Sequence, residues 1–260
     1  MTYCVGIITH EGLVLASDSR TNAGYDQVNT CSKMHSFVVP GKRVFVLLTS
    51  GSLSLTQSVI TLLRDEFEAG TGLASAETMY AAARIVGEAV RRVSELDRIA
   101  LERDSYSFNI HLVLGGQVEG GRPDLYLIYP QGNPLNATQE SPYLQVGEVK
   151  YGRPILDRGI VYGSTTLKAA AKYALLSLDA TMRSNVTVGP PIELMLYRND
   201  TLELDYYRSF KAEDPELQAI HARWEQSLRR AVEDLPDISM GSSPTKNVAM
   251  QLPIEMAPAE

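Results

Sequence analysis

The sequence predicts an α+β fold in which two antiparallel β-sheets are stacked between helix layers, a four-layer αββα sandwich. Two observations predict it. Strand-like runs and amphipathic helical runs occur in separate blocks along the chain, which favours antiparallel sheets with outer helices over a βαβ alternation. The 260 residues, 44% of them apolar, contain no internal repeat and are sufficient for a substantial core.

Four predicted strands precede the first helix. Tyr3–Ile8 and Leu13–Ser17 form a hairpin, and Lys33–Val39 and Arg43–Thr49 form a second one around a Pro-Gly-Lys turn. The segment between the hairpins, residues 20–29, is rich in asparagine, glycine and aspartate and is predicted to be a loop.

Two amphipathic helices are predicted after Gly51. Apolar residues recur at helical spacing from Leu55 to Phe67, and a longer stripe runs from Met79 to Ile99. We expect both helices to pack on one face of a sheet. A contact between copies of the chain remains the alternative use of the longer stripe.

The rest of the chain continues in the same block pattern. Strands are predicted at 108–115, 124–129, 143–149, 192–197 and 202–210, with a helix at 165–178. A last helix follows the N-cap Asp214 and Pro215. We therefore expect one domain over residues 1–212, a helix over 213–236 that packs on it or on a neighbouring subunit, and a flexible tail over 237–260.

Charge and composition exclude several functions. A net charge of −7 disfavours general binding of nucleic acid or anionic membranes, which requires a basic face. No secretory signal, propeptide or run of eighteen apolar residues is present, which predicts a cytoplasmic protein. Cys4 and Cys31 fit no disulfide framework, and neither the cysteines nor the four histidines have metal-ligand spacing, so no metal site is expected. The chemistry predicted below requires no metal or organic cofactor.

The chemistry is predicted to centre on Thr2. Its small side chain permits removal of Met1, after which one residue carries both a hydroxyl group and a free α-amino group. An α-amino group titrates near pH 8, so part of it is neutral in the cell and can accept the hydroxyl proton. Many chains begin with Met-Thr by chance, so the prediction also depends on the residues that are expected to surround Thr2.

Asp18 and Lys33 complete the candidate constellation. An antiparallel meander allows the end of the second strand and the start of the third to lie beside the first residue. A lysine ammonium there lowers the pKa of a nearby α-ammonium group, and a carboxylate keeps the lysine charged and oriented. An ordinary surface ion pair is the alternative interpretation.

These motifs resemble a known family. Thr2, the Ala-Ser-Asp-Ser-Arg run around Asp18, Lys33 and the Thr-Ser-Gly turn at Gly51 are similar to the N-terminal threonine peptidases of the proteasome β-subunit superfamily. The Met-Thr-Tyr-Cys-Val-Gly start, the Ser-Asp-Ser-Arg-Thr-Asn-Ala-Gly run and Gly-Pro-Pro at 189–191 resemble Anbu, its bacterial proteasome-related branch. The resemblance covers residues 2–210 and implies the Ntn-hydrolase form of the predicted sandwich.

The resemblance implies a role for each matching position. Thr2 is the nucleophile and its α-amine the base, while Asp18 and Lys33 tune the pair. The backbone N–H of Gly51 is the oxyanion donor. Ser164, in a Gly-Ser pair, supports the N-terminal amine.

Two further positions are implied to bind substrate. The backbone of Thr21 pairs with an extended peptide, and Thr49 lines the specificity pocket. Peptides or unfolded proteins are the implied substrates, and the implied assembly is a homo-oligomer, ring-like or open and helical. Whether an ATPase partner delivers substrate stays open.

One departure from the family pattern leaves alternatives to the peptidase function open. Where many β-subunits carry Arg-Asp-x-x-Ser-Gly-Gly, this chain has Arg183-Ser184-Asn185, so the supporting aspartate is missing. A threonine endopeptidase is therefore the first prediction. A weakly active or inactive self-assembling scaffold, and an amidase acting on a small amide, are the alternatives.

Overall fold

A computed structural model of the chain describes residues 2–22 and 28–238. The strands in this part are β1 (Tyr3–Thr9), β2 (Gly12–Asp18), β3 (Arg20–Asn22), β4 (Val28–Thr30), β5 (Met34–Val39), β6 (Arg43–Gly51), β7 (Ile110–Val118), β8 (Asp124–Ile128), β9 (Pro134–Asn136), β10 (Tyr143–Gly147), β11 (Ile192–Arg198) and β12 (Tyr206–Phe210). The helices are α1 (Leu53–Glu68), α2 (Met79–Arg103), α3 (Arg153–Gly159), α4 (Leu167–Ser184) and α5 (Pro215–Glu233).

The strands form two five-stranded sheets. The first has the order β10-β1-β2-β11-β12 and the second the order β5-β6-β7-β8-β9. Every neighbouring pair in both sheets is antiparallel. Strands β3 and β4 form a separate two-stranded ribbon. The predicted antiparallel architecture is confirmed.

Side-chain alternation along the strands builds three apolar layers. Cys4 and Leu15 of the first sheet pack against Val46 and Val113 of the second sheet. On the outer face of the first sheet, Tyr3 and its neighbours pack with α3 and α4. On the outer face of the second sheet, β6, β7 and β8 pack with α1 and α2. The molecule is therefore the predicted αββα sandwich, and β1 is buried on both faces.

The longer helical stripe divides between core and surface. The buried positions of α2 run from Met79 to Val93. Leu96 and Ile99 continue the same stripe but are 78% and 71% exposed. The prediction of core burial is wrong for these two residues, because the last turns of α2 extend beyond the part that other elements cover.

Some short elements differ from their predicted form. The predicted loop at 20–29 contains the β3–β4 ribbon, and its residues 23–27 lie outside the described part. The prediction missed β9 and α3, which have three and seven residues. The predicted start of the last helix is confirmed, since Asp214 accepts hydrogen bonds from the N–H groups of Glu216 and Leu217 at 3.0 and 3.3 Å.

The C-terminal region divides within α5. Leu217 is buried in the layer between the first sheet and its helices. The first compact unit ends at Trp224 and a second begins at Glu225. Of the tail predicted over 237–260, residues 239–260 lie outside the described part. No helix within residues 2–22 and 28–238 combines the length and apolar character of a membrane span.

Candidate active site

One cavity brings together five of the predicted site residues. It has a volume of about 680 Å³ and lies at the edge where β1 begins and β6 ends. Its lining includes Thr2, Thr21, Lys33, Thr49 and Gly51. Residues far apart in the sequence meet here because β1 and β6 belong to the two stacked sheets.

Asp18 and Lys33 form a buried ion pair behind the cavity. Lys33 Nζ donates to Asp18 Oδ1 at 2.6 Å and to the Arg20 carbonyl at 2.7 Å. Asp18 is fully buried and Lys33 is 6% exposed, so the surface-pair alternative does not describe this contact. The same carboxylate accepts the N–H of Tyr3 at 3.0 Å and that of Gly189 at 3.2 Å. Asp18 thereby fixes the backbone directly after Thr2.

Burial and hydrogen bonding act on Asp18 in opposite directions. Burial is the larger effect and raises the pKa of its carboxyl group, while the Lys33 ammonium and the N–H groups of Tyr3 and Gly189 offset part of this rise. All of these donors favour the ionised form. The carboxylate in turn orients the Lys33 side chain at the cavity through their 2.6 Å hydrogen bond.

Gly51 fits its position for a steric reason. It ends β6 with φ +114°, a conformation that side chains rarely adopt. A Cβ atom at this position would lie 2.2 Å from the carbonyl oxygen of Asn109, the residue directly before β7. Glycine therefore allows β6 to pair with β7 to its end and then turn directly into α1.

Arg20 braces the loop that follows Asp18. Its guanidinium donates to the Val186 carbonyl at 2.5 Å, and its backbone N–H donates to the Gly189 carbonyl at 3.2 Å. A Cβ atom at position 189 would lie 2.4 Å from Arg20 Cζ, so Gly189 gives the arginine its space. Arg20 also lines the cavity.

Glu148 links the Thr2 backbone to the segment that lacks the supporting aspartate. Glu148 donates its backbone N–H to the Thr2 carbonyl at 2.8 Å, and its side chain is 10% exposed. Its carboxylate accepts a hydrogen bond from Asn185 Nδ2 at 2.9 Å. Asn185 Oδ1 accepts the backbone N–H of Thr187 at 3.0 Å. Asn185, in the 183–189 motif, therefore supplies an amide to this hydrogen-bonded group. Glu148, the residue directly after β10, supplies the carboxylate.

Ser164 does not join this group. It is exposed and lies two residues after Tyr162, whose carbonyl accepts the His10 N–H at 3.1 Å. His10 follows the far end of β1, which puts the seven-residue strand, about 20 Å in length, between this loop and Thr2. Ser164 therefore lies at the opposite end of β1 from Thr2, which argues against its predicted support of the N-terminal amine.

Cys4 is the other potential nucleophile near the cavity. It is fully buried, and its thiol contacts the Thr49 carbonyl at 3.6 Å. Burial raises the pKa of the thiol well above its ordinary value. A protonated, inaccessible thiol is unreactive, as expected for a structural cysteine.

Glu193 is a structural residue of the site that the sequence analysis missed. It is 4% exposed in β11, and its carboxylate accepts the Lys33 N–H at 3.3 Å and the Ser32 hydroxyl at 2.9 Å. Tyr207 donates its hydroxyl to the same carboxylate at 2.7 Å. Glu193 thus anchors the segment that positions Lys33.

Replacing Glu193 with alanine is expected to lower the free energy of unfolding by roughly 2–4 kcal/mol, because several donors lose their acceptor. Glu193→Gln keeps an acceptor oxygen and should cost about half as much. Urea denaturation measures both variants. Glu203→Ala, at an exposed position before β12, is the control. A Glu193→Ala protein as stable as this control would contradict the anchoring role.

The burial of His35 is expected to make the folded protein less stable in acid. Burial, and secondarily Arg64, lower its pKa from 6.5 to about 4, while Glu193 opposes the shift. Between these two pH values the unfolded chain binds more protons at His35 than the folded chain does. The contribution of neutral His35 to the free energy of unfolding is therefore fully present above pH 6.5 and is lost as the pH falls towards 4. The expected loss from pH 7.5 to 4.5 is roughly 2–3 kcal/mol. His35→Gln should remove this part of the dependence in denaturation curves, and identical curves for both proteins would contradict it.

The described residues provide no cluster of side chains for a metal ion. Within residues 2–22 and 28–238, no three histidine, cysteine, aspartate or glutamate side chains lie close enough together to hold a metal ion. The groups at the cavity are instead a hydroxyl, a cation and backbone amides, which suit acyl transfer through a covalent intermediate.

Comparisons with known proteins agree with this geometry. Residues 2–196 match the proteasome subunit family model. A proteasome subunit beta from Haloferax volcanii is 26% identical over 215 residues, which are 81% of this chain and 79% of the relative. The structure of Anbu, described as an ancestral beta-subunit, from Yersinia bercovieri has a TM-score of 0.86 and 40% identity, and the match covers 92% of this chain and 100% of that one. The helical assembly of the Anbu complex from Pseudomonas aeruginosa has a TM-score of 0.86 and 41% identity, and the match covers 92% of this chain and 98% of that one.

Proposed function

Because the chain belongs to the Anbu family of proteasome-related subunits, we propose that it is a threonine endopeptidase whose nucleophile is Thr2 after removal of Met1. The observation that supports this most directly is the shared cavity of Thr2, Lys33 and Gly51, with the buried Asp18 carboxylate on Lys33 Nζ at 2.6 Å. The proposed location is the cytoplasm, where methionine aminopeptidase removes Met1.

The proposed cycle uses only groups of the chain and water. The neutral α-amine of Thr2 takes the hydroxyl proton, and Oγ1 attacks the peptide carbonyl carbon. The Gly51 N–H stabilises the developing oxyanion. The C–N bond then breaks, the amine passes its proton to the leaving group, and an ester to Thr2 remains. Water hydrolyses this ester with the same amine as base.

Lys33 has an electrostatic role in this cycle. Its ammonium lowers the pKa of the neighbouring α-ammonium group, so a larger part of the amine is the neutral base at neutral pH. Asp18 keeps the cation in place by accepting a hydrogen bond from Lys33 Nζ, and it fixes Tyr3 next to the nucleophile by accepting one from the Tyr3 N–H. Thr21 is proposed to pair with the extended peptide, and Thr49 to line the pocket for its side chain.

The proposal is tested by the intact mass of protein purified from its native cytosol, together with hydrolysis of a fluorogenic peptide library. Loss of Met1 together with hydrolysis supports the peptidase. Retention of Met1 in nearly every molecule blocks the α-amine and rejects it for that form. Protein without Met1 that hydrolyses no peptide also rejects it, and the self-assembling scaffold then becomes the better description.

Self-association is the second part of the proposal. The second unit contains an apolar stripe of Leu228, Val232 and Leu235, at helical spacing and 46%, 67% and 64% exposed. Such a stripe is unfavourable in water without a partner. We assign it to contact with a neighbouring copy of the chain, in a ring or an open helix. The assembly known from Pseudomonas aeruginosa is helical.

A charge in this stripe should dissociate the assembly. Val232→Asp or Leu228→Asp would bury an unpaired carboxylate at the contact, and the expected sedimentation is that of a smaller species. Glu233→Gln, at an exposed position of the same helix, is the control and should sediment like the wild type. Unchanged sedimentation of both aspartate variants would contradict this contact.

A further inference from the structure

The cavity has two sides, which belong to opposite faces of β6. Phe45 and Leu47 face α1 and α2, whereas Val46 and Leu48 face the first sheet. Side chains alternate along a strand, so Thr49 continues the helix side and Ser50 continues the side between the sheets. The substrate pocket assigned to Thr49 therefore leaves the opposite side of the cavity without a function.

This second side is formed by Ser50 and His111. The two residues are direct partners in the antiparallel pairing of β6 with β7, so their side chains lie on the same face. Leu127 and Val146 provide apolar walls, and Asn109 lies at the exposed rim. The side is consequently a small, mostly neutral compartment that adjoins Gly51.

Its polar side chains lack partners in the protein. Ser50 is 7% exposed, yet its hydroxyl makes no hydrogen bond to any residue in the described ranges. The half-buried His111 ring has an edge contact with Tyr129 at 6.3 Å between centroids and, within the same ranges, no hydrogen bond. Both residues line the cavity, so the hydrogen-bonding capacity of the Ser50 hydroxyl and of the His111 ring is available to a ligand or to water.

The charges around this compartment define the ligand. Burial lowers the pKa of His111, so at neutral pH the ring is neutral and offers one donor and one acceptor. No aspartate or glutamate is among the described residues that line the cavity, whereas Arg20 and Lys33 are. An ammonium or guanidinium group would lie here without a counter-charge. A carboxamide carries both donors and an acceptor and fits these partners.

We propose that Ser50 and His111 form a subsite for a carboxamide side chain, glutamine or asparagine, of the bound polypeptide. The inference rests on the proposed function, since it assumes that a peptide crosses the cavity. With the acyl side chain on the Thr49 side of β6, the Ser50 side receives the part of the peptide that leaves after cleavage. The subsite therefore selects for glutamine or asparagine on the leaving-group side of the scissile bond.

Binding to the Thr2→Ala protein tests the subsite without any hydrolysis. Four alanine-based peptides, each with one glutamine, glutamate, methionine or lysine at the same position, are titrated by calorimetry at pH 7.5. The glutamine peptide is expected to bind about tenfold more tightly than the isosteric methionine peptide, and the lysine peptide most weakly. A glutamate peptide that binds as tightly as the glutamine peptide would indicate selection by Arg20 or Lys33 and overturn the carboxamide assignment.

Two variants locate the selectivity. His111→Phe keeps a ring against Tyr129 but removes both nitrogens, and Ser50→Ala removes the hydroxyl. Each is expected to reduce the glutamine-to-methionine ratio to about two or less. Leu53→Ala, at the helix-side lining, is the matched control and should keep the ratio. An unchanged ratio in both subsite variants, or equal binding of glutamine and methionine peptides including no measurable binding of either, overturns the proposal.

Hydrolysis by the wild type separates this inference from the proposed function. Selective binding without hydrolysis would reject the peptidase and keep the carboxamide subsite. Hydrolysis in which mass spectrometry of the products shows no enrichment of glutamine or asparagine after the cleaved bond would keep the peptidase and reject the subsite.

Discussion

Thr2→Ala is expected to lower peptide hydrolysis at least about 1,000-fold, which corresponds to about 4 kcal/mol of transition-state stabilisation. The variant lacks the only hydroxyl that shares a residue with the proposed amine base. Its fold should remain, because Thr2 contributes its backbone to the sheet edge through the Glu148 N–H bond at 2.8 Å. Alanine is small enough for Met1 to be removed as in the wild type, so the N-terminal amine is still present.

Two further substitutions at this position serve as controls. Thr2→Val has the shape of threonine without the hydroxyl and should be as inactive as Thr2→Ala. Thr2→Ser retains the hydroxyl and should keep a measurable part of the wild-type kcat/KM. More than a tenth of wild-type hydrolysis in both Thr2→Ala and Thr2→Val would show that another group, or a contaminating protease, performs the reaction.

Lys33→Met is expected to reduce both stability and activity. The substitution leaves the fully buried Asp18 carboxylate without its cation, which should cost about 3–5 kcal/mol in the free energy of unfolding. Hydrolysis should fall at least about 100-fold in folded protein, since the cation that lowers the pKa of the α-ammonium group is gone. Denaturation curves and kcat/KM at a temperature where the variant is folded measure the two effects separately.

A double-mutant cycle separates the two contributions of the pair. Asp18→Asn combined with Lys33→Met removes both charges, and its destabilisation should be smaller than the sum of the single effects by at least about 1 kcal/mol. Activity should not return in the double variant, because the catalytic cation is still missing. Glu88→Gln breaks an exposed pair with Arg91 and is the control, with an expected change below about 1 kcal/mol. Additive single effects would show that Asp18 and Lys33 do not act as a pair.

The hairpins and the long helices could be predicted from sequence because their patterns are local. Period-two runs predicted β1, β2, β5 and β6, and helical stripes predicted α1 and α2 to within a few residues of their bounds. The periodicity could not reveal that α2 continues beyond its covered part, because Leu96 has the same spacing as the buried Val93. Strand β9 and helix α3 are too short to produce a periodic signal.

The candidate site was predictable only where a motif is local. Asp18 and Lys33 flank one loop, and their contact follows from the meander. Glu193 escaped prediction because a charged residue between two apolar ones in a strand indicates a solvent face, whereas β11 is covered on both faces. The assignment of Ser164 failed because a Gly-Ser pair carries no information about the end of the sheet at which its loop lies.

The most direct test of the central claim is peptide mapping after reaction with a peptide epoxyketone. The Thr2 hydroxyl can add to the ketone and the α-amine can open the epoxide, so one probe molecule becomes joined to both atoms of the same residue. We predict that the N-terminal peptide, beginning at Thr2, gains the full mass of one probe, and that the Thr2→Ala protein gains none. An unlabelled N-terminal peptide in protein that has lost Met1, or labelling at another residue, would contradict the proposed nucleophile.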